Sequence, residues 1–146
     1  MNKTDLTSKQ GPDPNKPTDS GDYQPLVLVV DDDGMVGSMT GHCLRRSGYR
    51  TQIFDDPKEA LEWFGENAAA VDLLISDQNM PGLVGTDLAV AIRKKKRNLP
   101  VIICSGYVDA IDPKVTENGL IAQLLSKPTP THVLLSAVKN VLAKKA

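Results

Sequence analysis

The sequence predicts an α/β fold: a doubly wound, five-stranded parallel sheet with helices on both faces. Two observations lead there. Apolar runs of strand length alternate five times with segments of helical periodicity. The first run, "LVLVV" (26–30), is apolar at every position, as a strand covered on both faces must be. At 146 residues, the chain suffices for one domain with a full core.

The elements follow in order. After "LVLVV", Val36, Met39, Cys43 and Leu44 recur at helical spacing. Gly34, Gly37 and Gly41 weaken that helix by up to about 1 kcal/mol each relative to alanine wherever they are interior, and Gly48 stops it. "YRTQIF" (49–54) is the second strand. The next helix has Asp56 as N-cap, Pro57 at its first position and Glu59 in the capping-box position. Leu61 and Phe64 face inward and Trp63 is partly exposed. "VDLLIS" (71–76) is the third strand. After a Pro/Gly loop, "GTDLAVAIRKKKRN" is a helix, with Thr86 capping and Leu88, Ala89 and Ile92 buried. "PVIICS" (100–105) is the fourth strand, and Pro113 confines the helix after it to a short piece. "IAQLLS" (121–126) is the fifth strand. The last helix carries Val133, Leu134, Ala137, Val138 and Val141 on one side.

Composition excludes several classes. The formal net charge of −1 gives no reason to expect nucleic acid or an anionic membrane as a bulk partner. Apolar runs stay within five or six residues, far short of a membrane span, and no secretory signal opens the chain. The expected location is the cytoplasm. Residues 1–24 hold three apolar residues, Met1, Leu6 and Tyr23, and are interrupted by Pro12, Pro14 and Pro17. They form a disordered tail or linker, and the domain runs from 25 to 146. Cys43 and Cys104 are expected to be small buried thiols. His42 and His132 have no ligand cluster around them. The run "RKKKR" (93–97) is a solvated helix end that complements the helix dipole.

Five units suit the flavodoxin-like strand order 2-1-3-4-5, whose ligands bind beyond the carboxyl ends of strands 1 and 3. Strand 1 runs into Asp31 and Asp32, and strand 3 into Asp77. Strand 4 ends at Ser105 and strand 5 at Lys127. Adjacent carboxylates repel, and a hard divalent cation such as Mg²⁺ relieves this. Asp77 can then act as a carboxylate nucleophile toward phosphorus. Lys127 and the Ser105 hydroxyl suit the oxygens of the transferred group.

The pieces "VLVVDDD", "LLISDQNMPGLVG", "VIICSGY" and "LLSKP" resemble the receiver domain of two-component response regulators over residues 25–144. The resemblance implies that Asp77 is the phosphoacceptor. Asp32 would bind Mg²⁺ directly and Asp31 through water, with the Asn79 carbonyl contributing. Ser105 takes the switch Thr/Ser position and Lys127 the phosphate-binding position. The Lys127–Pro128 bond would be cis, and Gly85 would be the loop glycine before the third helix. A histidine kinase or a histidine phosphotransfer protein is the implied phosphodonor. The product would be a switch that regulates partners rather than an enzyme. A homodimer is compatible with it. Leu124 departs from the usual switch Tyr or Phe, Val84 from a frequent Asp, and Thr129 from a frequent Phe. "SGY" with Leu124 looks more like receivers attached to hybrid histidine kinases.

Two alternatives share these residues. A degenerate receiver would bind partners without taking phosphate. A haloacid-dehalogenase-like phosphatase would use Asp31 as nucleophile and Asp33 as acid/base. That family needs acidic metal ligands after the lysine, yet no Asp or Glu follows Lys127, and Met35 stands where Thr or Val is expected. Asp33 instead begins the first helix.

Overall fold

The computed structural model describes residues 23–145. Its elements alternate: β1 (Leu26–Val30), α1 (Gly34–Arg46), β2 (Arg50–Phe54), α2 (Pro57–Asn67), β3 (Leu73–Asp77), α3 (Gly85–Lys95), β4 (Val101–Ser105), α4 (Lys114–Glu117), β5 (Gln123–Ser126) and α5 (Thr131–Lys145). All pairs are parallel, in the order β2-β1-β3-β4-β5. The expected order 2-1-3-4-5 is therefore observed.

The interior strand β1 has no exposed side chain. Leu26, Leu28 and Val30 face one helical layer, with Phe64 of α2 and Leu88 and Ile92 of α3. Val27 and Val29 face the other, with Leu44 of α1 and Leu134, Val138 and Val141 of α5. Full burial of such a side chain contributes about 1.5–3 kcal/mol relative to exposure. This two-sided burial fixes the β1 register and hence the position of whatever follows Val30.

Several local expectations hold. Asp56 caps α2 by accepting the Lys58 N–H, with Pro57 in the first turn. Trp63 is half-buried and packs on Phe54 at 5.8 Å. Others are corrected. On α1 the buried residues are Gly37, Gly41 and Leu44, while Met39 is 63% exposed. A Cβ on Gly41 would lie 2.2 Å from Ile53 Cδ1, so the glycines are the face that lets α1 approach β2. Val133 is exposed on α5, unlike Leu134, Ala137, Val138 and Val141. Thr86 does not cap α3. The N-cap is Val84, with no side-chain bond, and the Thr86 N–H goes to Gln78 Oε1 instead. In "RKKKR", Arg93 donates to the Arg97 and Gly119 carbonyls. Lys96 donates to the Ala68 and Val71 carbonyls. Two of the five cations thus tie α3 to neighbouring turns rather than standing in water.

The chain packs on the domain before Pro25. Tyr23 Oη donates to Asp72 at 2.5 Å, and the buried Arg50 donates to the Gln24 carbonyl and lies over the Tyr23 ring. The rest of the expected tail, residues 1–22, falls outside the described residues.

Candidate functional site

The strand ladder continues one residue past the strands and so sets the site. The Asp31 N–H donates to the Phe54 carbonyl at 3.1 Å, Gln78 N–H to Cys104 O at 2.9 Å, and Lys127 N–H to Ser105 O at 2.9 Å. Asp31 and Lys127 are thereby held by a neighbouring strand, and Asp77 and Ser105 are themselves the last residues of β3 and β4. Rigid elements of this kind position reactive groups well.

Asp31, Asp32 and Asp77 converge: one carboxylate oxygen of each lies within 4.8 Å of the others. Asp31 and Asp77 are buried and Asp32 is exposed. Lys127 Nζ closes the group, 3.3 Å from Asp77 and 3.4 Å from Asp31. Burial pushes the Asp77 carboxyl above the ordinary carboxylate range. Lys127 opposes that, and Asp31 and Asp32 reinforce it. Burial works to lower Lys127, but the charges of Asp31 and Asp77 outweigh it and hold the ammonium above its ordinary value. The oxygen-only donor set, with one exposed member, suits a hard cation that keeps several waters.

Ser105 ends β4 next to this cluster and is 1% exposed. Its Oγ accepts the Tyr107 N–H at 3.0 Å, while the Tyr107 ring is 73% exposed. Asn79 is exposed in the turn after β3, and the described contacts do not join its side chain to the cluster. The Lys127–Pro128 bond is cis. Leu124 is half-buried and packs on the α2/α3 side of the sheet. Asp33 has a separate task. Its carboxylate accepts the Met35 and Val36 N–H groups as the N-cap of α1, so it is not aimed at the cluster as an acid/base would be.

Three supporting residues were not singled out from the sequence or were given a smaller part. Gln78 Oε1 accepts the Thr86 N–H and its Nε2 donates to Thr86 Oγ1, tying the β3 end to α3. Ser76, fully buried, donates to the Asp77 carbonyl at 2.8 Å. A serine inside "LLISD" is the signal that could have found it. Gly85 is required by contact: a Cβ there would lie 2.5 Å from the Asp77 carbonyl oxygen and 3.1 Å from Gln78 Cα. Cys43 and Cys104 are half-buried rather than fully buried. Burial pushes the Cys104 thiol up to about 11, with Thr129 and Lys127 pulling the other way.

Among the described residues, no helix is long and apolar enough to cross a membrane. The model of the response regulator receiver domain family matches residues 27–139. The transcriptional regulatory protein PrrA of Mycobacterium tuberculosis is 35% identical over 130 residues, 87% of this chain and 54% of its own length. The DNA-binding transcriptional regulator NtrC of a Bradyrhizobium strain is 31% identical over 81% of this chain and 24% of its own. The chain thus spans about half or less of these curated relatives. Among solved structures, a receiver domain protein from Clostridium thermocellum has a TM-score of 0.76 and 28% identity, covering 83% of this chain and 96% of that one. The receiver domain of the hybrid histidine kinase CckA has a TM-score of 0.67 and 34% identity, covering 80% and 98%. With the fold, the acidic cluster and the sequence match in agreement, the chain belongs to the response regulator receiver domain family.

Proposed function

We propose that this receiver takes its phosphoryl group on Asp77 and that Asp31, Asp32 and the Asn79 carbonyl hold Mg²⁺ beside it. The observation that carries the reading is the convergence of Asp31, Asp32 and Asp77 under Lys127 at the β1/β3 switch point. A phosphohistidine on a histidine kinase or phosphotransfer protein presents the phosphorus. An Asp77 carboxylate oxygen attacks it, the P–N bond breaks, and the imidazole leaves with the electron pair. Bound Mg²⁺ supplies charge neutralisation for the phosphoryl oxygens. Lys127 pairs with one of those oxygens, and the Ser105 hydroxyl donates to another. Water later hydrolyses the acyl phosphate and resets the switch. Asn79 and Tyr107 flank the site and set the lifetime by controlling water access. The receiver acts in the cytoplasm as a switch, with output through partners.

Incubation of the protein with Mg²⁺ and a small phosphodonor, followed by peptide mapping, is expected to show phosphate on Asp77 and none after Asp77→Asn. A folded protein that stays unmodified would instead be a phosphorylation-independent binding module. Phosphate on Asp31 would return the phosphatase alternative. Replacing Tyr107 with Ala is expected to change the decay rate, and an unchanged rate removes its gating role.

A further inference from the structure

Behind the acidic cluster, a cavity of about 260 Å³ opens between α1, the end of β4 and the turn leading into α5. Both cysteines of the chain line it: Cys43 from α1 and Cys104 from β4. Neither is sealed in the core. Met39, one helical turn before Cys43, also lines the cavity and is largely exposed, so the α1 side is open to solvent. Cys43 Sγ lies 3.8 Å from Thr131 Oγ1. Asp31 and Lys127 also belong to the wall. The cavity and the acidic cluster therefore share two side chains.

We propose that this cavity is a thiol-modification site for small uncharged disulfides, and that an adduct on Cys43 opposes phosphoryl transfer to Asp77. The proposal rests on the Asp77 reading above. In the exchange, the Cys43 thiolate attacks one sulfur of the disulfide. A new S–S bond forms to the protein and the reagent's own S–S bond breaks. The other half leaves as a thiolate and takes up the proton that Cys43 gave up. Cys43 is oxidised and the leaving half reduced, so the disulfide is itself the oxidant. Cys43 is the acceptor because it sits on the outer, α1 side, whereas Cys104 lies on a strand of the sheet.

The coupling is steric. Lys127 Nζ sits 3.3 Å from Asp77 and 3.4 Å from Asp31 while the same side chain walls the cavity. A group added to Cys43 fills that space and crowds Lys127 away from its carboxylates. Two events that draw on one side chain in opposite senses disfavour each other reciprocally.

The test treats the full chain with dithiodiethanol, a small uncharged disulfide, and maps the adduct by peptide mass spectrometry. Asp77 phosphorylation by a small phosphodonor in Mg²⁺ is then timed. The adduct is expected on Cys43, with phosphorylation slowed about fivefold or more. Dithiothreitol is expected to restore the rate, and Cys43→Ser to abolish the sensitivity. Mg²⁺, which competes with Lys127 for Asp31 and Asp77, is expected to loosen that side chain and so to speed adduct formation. Absence of a Cys43 adduct on the folded chain, an adduct with an unchanged phosphorylation rate, or equal sensitivity in Cys43→Ser would each overturn the proposal. If the untreated chain takes no phosphate, the Asp77 reading fails instead. The Mg²⁺ effect on adduct formation then decides this proposal, speeding supporting it and slowing or no effect overturning it.

Discussion

Replacing Asp77 with Asn should make the metal-free protein more stable. The substitution keeps shape and removes one charge. Asp77 shares a cluster with Asp31 and Asp32 in which oxygens lie within 4.8 Å. At an effective dielectric of 20, each such pair repels by about 3.5 kcal/mol. Lys127, at 3.3 Å, returns about 5 kcal/mol on the same scale. The balance is a net cost of about 2 kcal/mol for ionised Asp77 before its burial is counted. Urea unfolding in EDTA at neutral pH should therefore give Asp77→Asn an advantage of about 1–2 kcal/mol. The pH dependence has a definite sign. The Asp77 carboxyl is raised in the folded state, so its ionisation costs stability above its folded pKa, and that cost is relieved as pH falls through it. The advantage of the Asn variant should shrink between neutral pH and the ordinary carboxylate value. Added Mg²⁺ should stabilise the wild type more than the variant. An Asn variant less stable than wild type in EDTA would refute the claim that the cluster stores repulsion.

Other substitutions test the supports around the site. Gly85→Ala forces a Cβ to 2.5 Å from the Asp77 carbonyl oxygen. Overpacking against backbone costs about 1–3 kcal/mol, so urea unfolding should show a loss in that range together with slower Asp77 phosphorylation. Gly41→Ala gains up to about 1 kcal/mol of helix propensity but must displace the flexible end of Ile53. Thermal unfolding should show a small net loss and an unchanged phosphorylation rate. Tyr23→Phe removes the hydroxyl bonded to Asp72 while keeping the ring over Arg50. Denaturant unfolding should register a loss of about 0.5–1.5 kcal/mol, because the bond is solvent-exposed and Tyr23 is 53% exposed.

The parts of the site that were legible in the sequence are those that follow from strand periodicity. A parallel sheet places ligands beyond its strand ends, so Asp31, Asp77, Ser105 and Lys127 could be located by finding where each apolar run stops. The parts that escaped depend on what lies across a gap. Gly37 and Gly41 look like weak helix residues until Ile53 is placed opposite them. Thr86 has the chemistry of a cap, but Gln78 reaches its N–H first. Tyr23 looks like the end of a polar tail. Its partner Asp72 is 49 residues away, and no local pattern carries that information. Arg50 is a charged residue opening a strand, and its burial makes sense only once Gln24 and Tyr23 cover it.

The departure at Leu124 bears on how phosphorylation is read out. No ring at that position can swing inward, and Leu124 already packs against the core on the sheet face that carries α2 and α3. The direct link from the site to the following loop is the Tyr107 N–H donated to Ser105 Oγ. Beyond it, α4 is a single turn that Pro113 opens without a side-chain cap, so the stretch between β4 and β5 has little helical hydrogen bonding to give up. Moving Ser105 Oγ toward a phosphoryl oxygen puts at stake the Tyr107 N–H bond it accepts, worth about 0.5–1.5 kcal/mol, while the hydroxyl gains a charge-assisted bond that it donates, worth about 1.5–3 kcal/mol. The difference is small, which is what a population switch requires. The loop at 106–111, rather than residue 124, should carry the change. Amide hydrogen exchange with and without a phosphodonor measures it: protection should change across 106–111 in the wild type and in Leu124→Ala alike. A response that is lost with Leu124→Ala, in a variant that still folds and still phosphorylates, would show that the signal runs through β5 after all.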